Sequence, residues 1–204
     1  VEFAKVIAAR HMVRAFTPDP VSPEVLAAVL DAANRAPSAG WSQGADFVVL
    51  QGPERFTRYW DLTLPVDRRS GFAWPRLLDA PVLIVAVTEP DAYARRYAQP
   101  DKANTGLGAS TDAWPVPYWW VDGGMALENL LLAAVDAGLG ACLFGLFDHE
   151  RAVLDALGVP AGHRALATVA LGHAAPADAA TAAGRSVRTR DRRDLSDVVH
   201  HGRW

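Results

Sequence analysis

The run Val82-Leu83-Ile84-Val85-Ala86-Val87 constrains the fold more than any other stretch of this sequence. It is one strand long, rich in β-branched residues and free of polar residues at every position. A run of that kind reads as a central strand covered on both faces. Its counterpart is the segment from Asp122, which can cap a helix, to Gly138, which can end one. The apolar residues of that helix lie nearly all round, so it is expected to be buried on most sides. Its apolar part, Met125 to Ala137, is interrupted by Glu128, Asn129 and Asp136. It falls short of the ~20 apolar residues of a membrane span and reads as a core helix.

The remaining elements alternate around these two. Phe3 to Arg14 is predicted to be a short helix with Phe3, Val6 and Ile7 at helical spacing. Pro18 and Pro20 impose an extended segment. Ser22-Pro23-Glu24 is a strong helix start, followed by Val25, Leu26, Val29, Leu30 and Ala33 and stopped by Pro37. Phe47 to Leu50 reads as a buried strand, Pro53 to Trp60 as a helix, and Asp61 to Pro75 as irregular. Pro90 to Pro117 reads as loop. Asp148 is placed to cap a helix through Leu157, Ala165 to Gly172 reads as a strand, and Ala174 to Gly184 as an exposed linker. A last short helix is expected at Leu195 to His200. No internal repeat or long linker divides the chain, so the order of elements implies a single α+β domain over residues 1–204.

Composition narrows the function classes. Of 204 residues, 50% are hydrophobic and 21% charged, a globular balance. The net charge of −3 argues against a nucleic-acid binder held by phosphate neutralisation. One cysteine, Cys142, rules out an intramolecular disulfide; with no signal-peptide core in Val1 to Met12, a cytoplasmic location is expected. Only Lys5 and Lys102 are lysines, so abundant arginine is no evidence of phosphate binding in itself.

Four stretches have side chains suited to ligand binding. Arg10, His11 and Arg14 come first: two arginines four apart share a helix face and can hold a phosphate, though a solvated face has the same pattern. The second is the basic run Arg185, Arg188, Arg190, Arg192 and Arg193, either an anion site or a solvated tail. In the third, Ala36 to Gln43, small residues permit close ligand approach while Ser38, Ser42 and Gln43 offer polar contacts; the alternative is a loop that merely ends a helix. The fourth, Gly138 to Gly145, can expose backbone N–H groups to a flat ring or simply permit tight helix–strand packing. No P-loop, GxGxxG, HExxH, CxxC or GxSxG pattern occurs, and no histidine spacing suggests a metal. Cys142 reads as a small buried residue. The lack of an acid–base constellation suits a protein whose cofactor carries the chemistry.

In order and spacing these stretches resemble the nitroreductase family. Arg10-His11-Met12-Val13-Arg14-Ala15-Phe16 is similar to its opening arginine motif, Ala36 to Gln43 to its APSxxNxQ loop, Asp122 to Cys142 to its aliphatic helix and Leu-Gly turn, and Arg192-Arg193-Asp194-Leu195 to its ending. The resemblance implies a central, mostly antiparallel sheet flanked by helices and an intertwined homodimer with FMN at the subunit interface. Arg10, His11, Met12 and Arg14 would approach the phosphate and the pyrimidine edge of the flavin. Pro37, Ser38 and Ala39, with Gln43 of the same loop, would reach it from the partner. Leu143, Phe144 and Gly145 would lie beside the redox-active ring nitrogen, and Arg190, Arg192 and Arg193 would complete the phosphate site. Four positions depart from the family: Met12 stands where a serine is frequent, Trp41 replaces the asparagine, Gly44 replaces a frequent proline, and Phe144 stands where some members have a glutamate.

The activity implied is a two-step cycle in which NADH or NADPH reduces the flavin and leaves, and a flat small-molecule acceptor such as a nitroaromatic or quinone follows. Trp41, Trp119 and Trp120, with Trp114 and Tyr118, are candidates for the acceptor pocket; packing of the core or dimer interface is the alternative. Rival readings are a same-fold dehalogenase, biosynthetic dehydrogenase or flavin-fragmenting enzyme, and a flavin-sequestering protein without turnover. No metal, nucleic-acid partner or membrane association is expected.

Overall fold

The computed structural model describes residues 2–176 and 191–204. Its sheet comprises β1 (Ala45–Gln51), β2 (Val82–Thr88), β3 (Gly140–Phe144) and β4 (Arg164–Gly172) in the order β1-β2-β4-β3. Every neighbouring pair is antiparallel, with Val48 opposite Val85, Ile84 opposite Val169 and Cys142 opposite Ala170. All seven residues of β2 are buried, the six of its unbroken apolar run and Thr88 at its end.

Side chains alternate across a strand, and β2 divides accordingly. Val82, Ile84 and Ala86 pack with Leu26 and Val29 of α2 (Pro23–Asn34) and with Leu127, Leu130 and Ala134 of α6 (Tyr118–Asp136). Leu83, Val85 and Val87 face the other way, onto Phe16, Tyr59 and Trp60 of α3 (Pro53–Thr63) and Leu154 of α7 (Glu150–Ala156). Helices thus cover both faces of an antiparallel sheet, the α+β architecture expected.

Several local starts and stops are as the sequence indicates. Ser22 caps α2, its Oγ accepting from the Val25 N–H at 3.3 Å. Beyond α6, Gly138 takes a φ of +74°, the left-handed conformation that glycine adopts without a steric penalty. Other expectations are corrected. The first helix, α1 (Phe3–Ala9), stops well before Arg14 because the chain leaves it to pair with β3. The long helix begins four residues before Asp122, which is therefore no cap; its carboxylate serves a distant loop instead. Residues 90–117 are not all loop, since Pro90 starts α5 (Pro90–Tyr97). The irregular stretch 61–75 contains α4 (Val66–Arg69). Asp148 caps nothing; it lies in the 3-10 turn Phe147–His149 that precedes α7. The last helix is a single exposed 3-10 turn, Leu195–Asp197. Most of the expected linker lies outside the described residues.

Leu130 is fully buried between α6 and the sheet. Leu130→Ala should lower unfolding stability by about 2–5 kcal/mol, whereas removing the exposed Ser22 cap as Ser22→Ala should cost about 1 kcal/mol. Equilibrium urea unfolding of the two variants checks both the sizes and their order.

Candidate functional site

After α1 the chain touches the outer edge of β3 at Met12 and Val13, and Phe16 then bridges Ala174 beyond the end of β4. Met12 forms a parallel bridge with Ala141, and the Val13 N–H donates to the Ala141 carbonyl at 2.9 Å. The Leu143 N–H points at the Met12 sulfur, 3.3 Å away. This close approach requires Gly140, because a Cβ there would stand 2.8 Å from a Val13 methyl. Arg10 and Arg14 therefore do not share a helix face. On an extended chain they are about 13 Å apart, and they turn to different neighbours. Arg10 pairs with Glu128 of α6 at 3.5 Å. The Arg14 guanidinium lies over the Trp74 ring, 5.5 Å from its centroid, and donates to the Met12 carbonyl at 3.4 Å. His11 is exposed, with Nδ1 2.8 Å from the Ala9 carbonyl.

Arg14 and the end of β3 line a cavity of about 370 Å³, within the range of small-molecule sites. Phe144 and Gly145 line it together with Trp60, Phe72 and Trp74, from α3 and the segment after it. Trp60 and Phe144 are stacked at 6.0 Å with 17° between their planes, while Phe72 and Trp74 meet edge to face. The walls are thus aromatic, and the fixed charge among them is a cation. Such a site suits a flat ring system whose edge is electron-rich or anionic. The Trp74 indole N–H has no acceptor among the described residues. Tyr59 donates to Thr168 Oγ1 at 2.8 Å, and burial pushes its hydroxyl up to about 12. Burial likewise pushes the Cys142 thiol up, partly opposed by the charge of Arg14. A neighbouring groove of about 350 Å³ is lined by two ion pairs, Arg151 with Asp155 and Arg164 with Glu150, and by the exposed Asp148. The Arg14 cavity is the better ligand site.

The loop of residues 36–44 leads into β1, at the sheet edge opposite β3. Three strand spacings separate those edges, about 14 Å, and no residue of the loop lines the cavity. It is tightly specified all the same. Asp122, buried in α6, accepts the Ala39 N–H at 2.8 Å; Arg96 donates to the Gly40 carbonyl at 2.7 Å; Ser38 Oγ accepts the Gln43 N–H at 3.0 Å. These bonds hold Trp41 and Gln43 at φ of +61° and +51°, a strained conformation for residues with a Cβ. Pro37 and Gln43 are exposed, and the Trp41 side chain projects from the loop with 67% of the residue exposed.

The other candidates are dispersed. Trp119 and Trp114 are buried against Tyr93, a packing role within one chain, and the Trp114 indole donates to Leu107. Trp120 lies on the surface with the Arg164 guanidinium over its ring at 5.5 Å, and Tyr118 is exposed. Arg192 is exposed, and Arg193 donates to the Asp197 carbonyl. Arg190, with Arg185 and Arg188, lies outside the described residues. The structure therefore brings Arg14, Leu143, Phe144 and Gly145 together, with Met12 holding the strand beside them. It adds Trp60, Phe72, Trp74 and His149, which sequence reasoning missed. The three aromatics had only an aromatic-rich stretch with no regular spacing as a signal, and His149, in the turn after β3, had none.

The sequence profile of the nitroreductase family matches residues 7–173. A protein of Archaeoglobus fulgidus, provisionally named NADH dehydrogenase/NAD(P)H nitroreductase, is 26% identical over 207 residues, covering 100% of this chain and 99% of its own. Among solved structures, an oxidoreductase containing FMN superposes with a TM-score of 0.73 at 24% identity, over 98% of this chain and 91% of that one. A provisionally named nitroreductase of Desulfovibrio desulfuricans, in complex with FMN, gives a TM-score of 0.69 at 22% identity, over 100% and 98%. At these identities the structural matches establish the fold.

Because its thiol pKa is raised, Cys142 holds even less thiolate at neutral pH than a free cysteine does. The folded protein should leave Cys142 unmodified by iodoacetamide at pH 7 under conditions that fully alkylate the denatured chain. Mass spectrometry reads the difference; equal labelling of the two states contradicts the burial described.

Proposed function

Because the chain belongs to the nitroreductase family, we propose that it is a homodimeric FMN-dependent oxidoreductase. In this reading it takes hydride from NADH or NADPH and reduces flat acceptors, quinones and nitroaromatics, in alternating half-reactions. The observation that carries the reading is the pairing of the arginine segment with β3, which puts the Arg14 cation and the end of β3 on one aromatic cavity. The lining fits a flavin ring in its chemistry: aromatic faces for the tricycle, and a guanidinium for the edge that gains negative charge on reduction.

Bound FMN supplies two-electron redox chemistry that no side chain of the cavity provides. The chain's own residues bind, orient and exclude water. Arg14, held over Trp74, would support the pyrimidine edge. Leu143, Phe144 and Gly145 would hold the ring from the end of β3. Trp60, Phe72 and Trp74 would keep water from the cavity. Arg10 and His11 would hold the phosphate together with Arg190, Arg192 and Arg193. Met12 differs from the serine frequent in the family: its sulfur sits against the Leu143 N–H, so the residue serves the strand contact rather than the phosphate.

The opposite edges of the sheet motivate the dimer. Pro37, Ser38, Ala39 and Gln43 do not reach the Arg14 cavity of their own chain, whereas a second copy can bring the same rigid loop to it. Trp41, exposed on that loop, would then wall the acceptor side, with Trp120 at its surface position nearby in the same role.

Purified protein reconstituted with FMN should be yellow and should oxidise NADH or NADPH when given a quinone or nitroaromatic. Arg14→Ala should raise the FMN dissociation constant about tenfold, the loss of roughly one charge-assisted contact. Fluorescence titration of FMN measures it. A wild-type chain that cannot retain FMN sinks the reading; unchanged affinity in the variant removes Arg14 from it.

A further inference from the structure

Reducing a quinone with NADH or NADPH consumes one proton beyond the hydride that the nicotinamide gives, and an acid has to deliver it to the acceptor oxygen. Four titratable side chains line the Arg14 cavity: Arg14, Tyr59, Cys142 and His149. A guanidinium does not give up its proton in a protein. The Tyr59 hydroxyl is buried and committed to Thr168, and burial pushes both it and the Cys142 thiol further above neutral. His149 differs in chemistry and in place. It lines the cavity yet is exposed, so it stands where the cavity meets solvent. Its backbone is anchored, the His149 N–H donating to the Leu146 carbonyl at 2.9 Å, at the end of the 3-10 turn Phe147–His149. Imidazole is the side-chain type that exchanges protons near neutral pH.

The charged groups around it are largely committed. Glu150 is engaged by Arg164 and by the Ala165 N–H, and Arg151 by Asp155; Asp148 is exposed in the same turn, and Arg14 is the cation across the cavity.

The geometry points to His149 as the proton donor to the electron acceptor. The His149 imidazolium N–H donates to one carbonyl oxygen of a quinone in the cavity. As the quinone receives the hydride's two electrons and one hydrogen, which originate on NADH or NADPH, the N–H bond breaks and an O–H bond forms. The products are the hydroquinone and neutral imidazole, which regains its proton from water at the exposed edge. This assignment rests on the flavin reading above.

The test uses the FMN-loaded protein and stopped-flow spectroscopy of each half-reaction, with 1,4-benzoquinone as acceptor. In the wild type, the rate of flavin reoxidation should fall as pH rises. In His149→Gln it should be at least about tenfold slower at pH 6 and flat with pH. Reduction by NADH and the FMN dissociation constant should stay within about twofold of wild type. His149→Ala should recover reoxidation when free imidazole is added, a rescue that a purely structural role would not give. A separate arm needs no variant or turnover: the ¹⁵N resonances of the His149 ring should shift when 4-hydroxybenzaldehyde, a carbonyl probe, is titrated into oxidised protein. An unchanged pH profile in His149→Gln, absence of imidazole rescue, or an unmoved His149 resonance overturns the proposal while leaving the flavin reading intact. Failure of the wild type to hold FMN overturns both.

Discussion

The contact on which the site depends is the pairing of Met12 and Val13 with Ala141 of β3. It is permitted by the missing side chain at Gly140, where a Cβ would strike Val13. The pairing ends α1 at Ala9, because backbone groups that would have continued the helix are used by the sheet edge. It also separates the two arginines, leaving Arg10 to Glu128 and carrying Arg14 to the aromatic cavity. One lateral contact therefore sets the helix boundary, the direction of the arginine side chains and the cationic side of the cavity.

The second organising element is the sheet covered on both faces. Because α2 and α6 lie on one side and α3 and α7 on the other, the two sheet edges are left as places where irregular segments attach. The arginine segment occupies one edge and the strained 36–44 loop leads into the other. Asp122 links that loop to the core: its buried carboxylate receives the Ala39 N–H from within α6. The loop is consequently rigid where surface loops are ordinarily mobile, and Trp41 is held in an exposed position that packing within the chain does not explain.

Much of the scaffold was legible in the sequence because its causes are local. The unbroken apolar run of β2, the Ser22-Pro23-Glu24 start of α2 and Gly138 after α6 each act through their own neighbours in the chain. What could not be read was long-range. Nothing near Arg14 signals that a strand some 130 residues later will end its helix. Asp122 is a reasonable cap by type, and only its contact with a loop 83 residues away shows its other use. The aromatic wall escaped because Trp60, Phe72 and Trp74 come from a helix end and an irregular segment, with no period to connect them. Trp119 was ambiguous for a related reason: its surroundings, Tyr93 and Trp114, come from the segment read as loop.

The central claim is that the cavity formed by Arg14, the end of β3 and the aromatic segment is where a flavin ring binds. Diffraction from crystals grown with FMN tests it most directly. The account predicts ring density in the cavity lined by Phe144, Trp60 and Trp74, with its pyrimidine edge toward the Arg14 guanidinium and the 36–44 loop of a second copy alongside. Ring density elsewhere, with the Arg14 cavity filled only by water, would contradict it.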